Sequence, residues 1–368
     1  MIDPEKLYDK LIDNGLDFFT GVPDSLLKDF CAYIEDHSKN NTITANEGNA
    51  VALAAGHYLA TGRPGVVYMQ NSGIGNAINP LISLVDEDVY KIPMLMIVGW
   101  RGEPGLKDEP QHVKQGKLTI PLIECLGIEY SIIDESVNID EIWIKAEKLL
   151  KDNKPYALIV KKGVFSSYKL KNKKPDISEI NKEKALEIVI EQLEKDSLVV
   201  STTGKLSREL FEIREARNES HKRDFLTVGS MGHTSQIALG AALSNPGKKV
   251  YCFDGDGSFL MHMGSIPVNA SKKAANFKHI VFNNGAHDSV GGQPTVAGSV
   301  NLSDIAKASG IEKSMQVKTE NELKKAVKRM VDGELDFLEI LVKKGARSNL
   351  GRPTISPKMG KENFMESM

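Results

Sequence analysis

Cysteine is scarce in this chain: Cys31, Cys125 and Cys252 are the only three in 368 residues. They lie far apart, are odd in number and form no C-x-x-C pair, which argues against a disulfide framework or a thiolate zinc site. Each sits in an apolar context, so all three are expected as buried small residues. Charge of one sign is also lacking, with 47 basic against 49 acidic residues and a net charge of -2. Without a basic stripe, nucleic acid is not an expected partner. No apolar run approaches ~18 residues, so no membrane helix is expected. The charged start "MIDPEKLYDK" has no apolar stretch of a secretory signal. The expected location is the cytoplasm, and the expected ligand a small molecule.

What is present is an alternation of short apolar strands with amphipathic helices, the pattern of α/β proteins with parallel sheets. "LDFFTG", "NTITA", "GVVYMQ", "IPMLMIVGW" and "YALIV" read as strands in the first half, with "PDSLLKDFCAYIEDH" and "GNAVALAAGHYLAT" as helices between them. A basic, polar, proline-containing stretch then interrupts the pattern, and residues 166–180 are the linker candidate. The pattern restarts with "SLVVST", "KVYCFDG", "FKHIVFNNG" and "DFLEILVKKG". Two doubly wound α/β domains, 1–165 and 181–368, are expected. "WRGEPGLKDEPQHVKQGKLT" (100–119) reads as a long polar loop, and long loops in compact domains are usually functional or disordered. The tail from Gly345 reads as irregular and basic.

"VYCFDGDGSF" is a strand running into Gly255-Asp256-Gly257. Such a turn aims backbone N–H groups at an anion. Asp256 adds a carboxylate, which makes sense if a divalent cation bridges the two. Magnesium commonly takes one or two carboxylates plus phosphate oxygens. The strand "FKHIVFNN" delivers an amide oxygen, from Asn283 or Asn284, to the same end of the sheet, where ligands bind in parallel α/β folds. A metal-bound diphosphate is the ligand this arrangement suits.

Gly-Asp-Gly, 25 intervening residues (258–282) and Asn-Asn resemble the motif of the thiamine diphosphate enzymes. The resemblance implies the ThDP-binding fold in both domains, 1–165 on the pyrimidine side and 181–368 on the diphosphate side. It implies Mg2+ held by Asp256, Asn284 and the Ala286 carbonyl, with Gly255, Gly257 and Ser258 beside the diphosphate. A glutamate is needed against N1′ of the aminopyrimidine, and Glu47, after "NTITA" in an Asn-Glu-x-Asn-Ala context, resembles it. Glu47 should then be buried with a raised pKa, so that it can share a proton with N1′. "NSGIGNAIN", with Ser72, resembles the SGPGATN stretch of these enzymes, with Ile74 in place of proline. A dinucleotide fingerprint is the competing reading, but its third glycine is replaced by Ile78. In "VGSMGHTSQ" Met231 would be the wedge that bends the cofactor, and the Gly229 carbonyl would accept from its 4′-amino group. Thr202, Thr203 and Gly204 would donate to the diphosphate.

The two-domain arrangement, with "GVPDSLL", "DEPQHVKQG", "NNGAHDSVGGQPT" and "LGRPT", resembles the phosphonopyruvate decarboxylase family, with sulfopyruvate decarboxylases as near relatives. This implies decarboxylation of 3-phosphonopyruvate to phosphonoacetaldehyde and CO2 in phosphonate biosynthesis. Asp24, His112 and His287 are then candidates for proton handling. Arg101, Lys107 and Arg352, with Asp24, are candidates for holding substrate. The resemblance also implies a homo-oligomer, a dimer at minimum, with the active site between subunits. A non-catalytic member of the fold is the alternative of a different class, and intact Glu47, Asp256 and Asn284 weigh against it.

Overall fold

A computed structural model describes all 368 residues. The chain divides into two compact units. The first is Met1–Lys173 with Ser289–Gln293, and the second is Lys174–Asp288 with Pro294–Met368.

Unit 1 holds β1 (Phe19–Gly21), β2 (Asn41–Ile43), β3 (Gly65–Gln70), β4 (Met94–Gly99), β5 (Glu129–Ile133) and β6 (Tyr156–Val160) in the order β2-β1-β3-β4-β6-β5. Unit 2 holds β7 (Leu198–Ser201), β8 (Asp224–Leu226), β9 (Val250–Gly255), β10 (Phe277–Asn283), β11 (Ser314–Val317) and β12 (Phe337–Leu341) in the order β11-β12-β10-β9-β7-β8. Counted within its own unit and from the other edge, the second sheet has the same order as the first. All pairs are parallel. Both sheets are therefore doubly wound, as the alternating sequence pattern implied.

Alternate residues of one strand feed different apolar layers, because successive side chains point to opposite faces. Val66, Tyr68, Leu95 and Ile97 join one cluster of unit 1, while Val67, Met69, Met94 and Met96 join another. Tyr251 and Phe253 join one cluster of unit 2, and Val250 and Cys252 another. β4 and β10 are buried along their whole length, as central strands covered on both faces should be. No helix is long and apolar enough to cross a membrane.

Four expectations need correction. The helix expected from Pro23 begins only at Lys28, because the Asp24 carboxylate captures the Leu26 and Leu27 N–H groups at 2.7 and 3.3 Å and holds a turn there. Half of the stretch 100–119 is helix: Pro110, which lacks an N–H, opens the helix Pro110–Cys125. Gly102 and Gly116 serve close packing, since a Cβ on Gly116 would strike the Gly102 backbone. The tail contains the helix Pro357–Glu366, capped by the Ser356 hydroxyl. Cys31 and Cys252 are buried, but Cys125 is exposed at the solvent-facing end of its helix.

Candidate active site

The order of each sheet reverses direction beside its first strand, so the carboxyl ends of β1 and β3, and of β7 and β9, flank switch points where ligands bind in such folds. In unit 1 these ends carry Asp24 and the stretch Gln70–Ser72. Glu47 opens the helix Glu47–Thr61 that follows β2, and Asn46 caps it by accepting from the Asn49 N–H at 3.0 Å. Glu47 is 5% exposed. Asn76 Nδ2 donates to its Oε2 at 2.7 Å, and a Cβ on Gly73 would fall on its side chain. Burial pushes the Glu47 carboxyl above the usual range, although the Asn76 hydrogen bond pulls the other way.

Asp24 is fully buried. Besides its two backbone donors it accepts from Gln70 Nε2 at 2.5 Å, and the Ser72 hydroxyl donates to Gln70 Oε1 at 2.8 Å. Arg101 is committed within the same unit. Its Nε and Nη2 pair with Asp108 at 2.9 and 2.5 Å, and its Nη1 donates to Ser25 Oγ at 2.9 Å. That pairing raises the guanidinium further and holds the Asp108 carboxyl well below its usual range. His112 lies in the field of this group. Burial lowers its imidazole, and the Arg101 charge adds to the effect. Lys107 is exposed.

In unit 2, Asp256 opens the short helix Asp256–Met261 after β9. It is 4% exposed, and burial pushes its carboxyl up to about 7 against the pull of hydrogen bonds from Thr295 and the Gly257 N–H. Thr295 joins the two ends of the motif: its hydroxyl donates to Asp256 Oδ2, and its N–H donates to the Gly285 carbonyl at 3.0 Å. The two asparagines have different surroundings. Asn283 is fully buried, its Nδ2 donating to Glu339 Oε1 at 2.7 Å and the Ala297 carbonyl at 3.1 Å, while its Oδ1 takes the Gly285 N–H. Asn284 Oδ1 takes only the Ala286 N–H, at 3.0 Å, and its Nδ2 donates to Asp288 Oδ2 at 2.6 Å. An amide oxygen has two lone pairs, so each of the two oxygens, accepting one N–H, keeps one for a further partner; the residues differ in what their nitrogens meet.

Around this turn, Thr202 Oγ1 donates to Ser258 Oγ at 3.1 Å, and Ser258 Oγ also accepts the Gly232 N–H. Thr203 Oγ1 accepts the Gly229 N–H at 3.0 Å. Gly204, at φ 102, caps the helix Lys205–Ala216 in a backbone shape that side chains rarely adopt. A Cβ on Gly257 would meet both Met231 Cε and His287 Cε1 at 3.1 Å, so these two side chains converge above the glycine. Burial pushes the His287 imidazole down to about 4. Arg352 is exposed.

The donor set Asp256 carboxylate, Asn284 amide and Ala286 carbonyl is all oxygen, which suits Mg2+. A carboxyl that burial keeps near neutrality is one a cation would ionise. With the glycine cradle at 204, 255 and 257, these residues fit a metal-bound diphosphate. The partners Asn76, Gln70, Thr295, Asp288 and Glu339 were not picked out from the sequence. Asp288 and Thr295 do follow the Asn-Asn pair within the stretch "NNGAHDSVGGQPT".

Residues 5–120 match the thiamine pyrophosphate enzyme N-terminal TPP binding domain, and residues 202–340 match the C-terminal TPP binding domain. The phosphonopyruvate decarboxylase of Streptomyces viridochromogenes is 33% identical over 379 residues, covering 97% of this chain and 92% of that one. That of Streptomyces hygroscopicus is 32% identical over 386 residues, covering 100% and 94%. The sulfopyruvate decarboxylase of Methanosarcina acetivorans is 27% identical over 393 residues, covering 100% and 98%. Since the matches reach into both units and the relatives align over nearly the whole length, this chain belongs to the thiamine pyrophosphate enzymes, as a carboxy-lyase of the phosphonopyruvate decarboxylase family.

Proposed function

We propose that this chain decarboxylates 3-phosphonopyruvate to phosphonoacetaldehyde and CO2 with thiamine diphosphate and Mg2+ bound, a step in phosphonate biosynthesis. The observation that carries the reading is Glu47: a buried carboxyl at a helix start, raised by burial, in a chain that aligns almost end to end with phosphonopyruvate decarboxylases. When bound, thiamine diphosphate supplies a thiazolium sink for the electron pair left by departing CO2.

Glu47 holds a proton and passes it to N1′ of the aminopyrimidine. Its raised pKa supports this role, because an acid or base works best near the operating pH. Asn76 fixes one carboxyl oxygen and leaves the other for the cofactor. Asp256, Asn284 and the Ala286 carbonyl would hold Mg2+. Thr202, Thr203, Gly204, Gly255, Gly257 and Ser258 would offer O–H and N–H donors to the diphosphate, Met231 would pack against the cofactor, and the Gly229 carbonyl would accept from its amino group. Asp24 handles a proton at the reacting carbonyl, oriented through Gln70. His112 and His287 have lowered pKa values and are neutral near pH 7, so they exchange protons rather than supply fixed charge. Arg101, which also pairs with Asp108 and Ser25, and Lys107 and Arg352 are the cations proposed for the phosphonate. The active unit is a homodimer at minimum, with the site between subunits; a fully active monomer in sedimentation would exclude this.

Sulfopyruvate is the second reading, favoured by the full-length 27% identity to a sulfopyruvate decarboxylase. A phosphonate carries up to two charges near neutral pH and a sulfonate one, so a phosphonate site depends more on its cations and is more sensitive to salt when exposed. Parallel assays of the three keto acids test the choice. Phosphonopyruvate should exceed sulfopyruvate and pyruvate in kcat/KM, and Arg352→Ala should narrow the gap. Sulfopyruvate as the best substrate would overturn the substrate assignment and leave the cofactor chemistry standing.

A further inference from the structure

Asp288 lies four residues after Asn284, in the turn that follows β10, and has no part in the chemistry above. Its Oδ2 accepts from Asn284 Nδ2 at 2.6 Å and from the Gly345 N–H at 2.7 Å. Its backbone carbonyl accepts from Lys205 Nζ at 3.0 Å, at the start of the helix that Gly204 caps. One residue therefore ties together the turn carrying Asn284, the helix start beside the diphosphate donors and the segment leading into the tail.

The two ends of an amide are nearly the same size, and only its partners decide which way it faces. An ionised carboxylate accepts and never donates. Beside Asp288, the Asn284 amide has one satisfied orientation, with nitrogen toward the carboxylate and oxygen away from it. The opposite orientation would set two acceptors against each other and two donors, Nδ2 and the Ala286 N–H, against each other. We propose that Asp288 is the positioning residue that turns the Asn284 oxygen toward the divalent cation, so that cation affinity depends on a side chain outside the ligand set. The inference rests on Asn284 being a cation ligand. Residues that orient metal ligands in this way typically matter 10–100-fold in affinity.

A plain charge effect is the rival explanation, since the Asp288 carboxylate also acts on Asp256 through space. Substituting amide for carboxylate separates the two. Asp288→Asn loses the charge but keeps an oxygen that accepts from Asn284 Nδ2; Asp288→Ala loses both. Mn2+ is titrated into the full-length protein with thiamine diphosphate present, and free Mn2+ is read by electron paramagnetic resonance. Asp288→Ala should bind Mn2+ about 10–100-fold more weakly than wild type, and Asp288→Asn within about threefold. In an Asn284→Ala background, Asp288→Ala should add no further loss, because the group it orients is gone. Equal weakening by Asn and Ala would overturn the proposal in favour of charge, and wild-type affinity in Asp288→Ala would overturn it outright. Wild-type affinity in Asn284→Ala would remove the ligand assignment itself, and this inference with it. Thermal melts of the cofactor-free variants show whether Asp288→Ala folds. If it does not, Asp288→Asn decides alone, and a tenfold loss there refutes orientation.

Discussion

A single methyl group at residue 73 would test the placement of Glu47 without changing any ionisable group. Gly73 has φ -74 and ψ -15, a conformation open to alanine, so the backbone is not strained. The added Cβ would lie 2.5 Å from Glu47 Cδ and closer still to Cγ and Oε1. Carbon atoms sit comfortably at ~3.5 Å, so the carboxyl must retreat by about 1 Å. It cannot do so without disturbing the 2.7 Å hydrogen bond from Asn76. A misplacement of ~1 Å costs about 100-fold in rate, equivalent to ~2.7 kcal/mol of barrier. Steady-state assays of Gly73→Ala should therefore show kcat reduced about 100-fold, with thiamine diphosphate still bound in calorimetry. Gly56→Ala is the control. Gly56 lies in the helix that Glu47 opens, and a Cβ there meets nothing within 4 Å. It should keep wild-type kcat and gain ~0.5–1 kcal/mol of stability from helix propensity. Wild-type turnover in folded Gly73→Ala would refute the reasoning, because a displaced carboxyl could not then be the group that activates the cofactor.

Glu47→Gln should abolish turnover while thiamine diphosphate still binds; activity within tenfold of wild type, only ~1.4 kcal/mol, is too small a loss for an activating acid. The same substitution has a signature in stability. A carboxyl whose folded pKa is raised contributes stability below its unfolded pKa and loses it as pH rises through the folded value. Melts of cofactor-free Glu47→Gln should therefore exceed wild type at pH 8, with the difference shrinking toward pH 4. Asp256→Asn should behave likewise, with its window between the ordinary carboxylate value of 3.8 and about 7, an effect of at most about 4 kcal/mol. It should also weaken Mg2+ and thiamine diphosphate together in calorimetry, and unchanged affinity for both would refute the shared site.

Both doubly wound sheets and the two ends of the cofactor motif were legible because each rests on a local pattern. A continuous apolar run reads as a buried central strand, and a glycine-flanked acid after such a run reads as a ligand turn. β5, β8 and β11 escaped that reading for one physical reason. All three are edge strands, with partly exposed, mixed residues in place of an apolar run. The first ten residues of the helix Pro110–Cys125 read as loop because Pro110 and Gly116 are punctuation in a sequence, whereas here they start the helix and let it pack against Gly102. The setting of Asn283 depends on Glu339, 56 positions away and fully buried. Nothing in the sequence near the pair announces that partner. The engagement of Arg101 with Asp108 was equally hidden, since a count of cations around a loop says nothing of which acids they meet.

The parallel pairing has a consequence for how the chain is made. Parallel neighbours cannot be joined by a hairpin, so β4 and β6 pair only after the long segment between them has been synthesised. Leu95 lies opposite Tyr156, roughly 60 residues later, which at ~5–20 residues per second takes a ribosome about 3–12 s. During that interval β4 can pair with β3 on one side only. Its other edge, from Met94 to Gly99, stays open with side chains that end wholly buried in the finished sheet. For those seconds it is an unpaired apolar template for any neighbouring nascent chain.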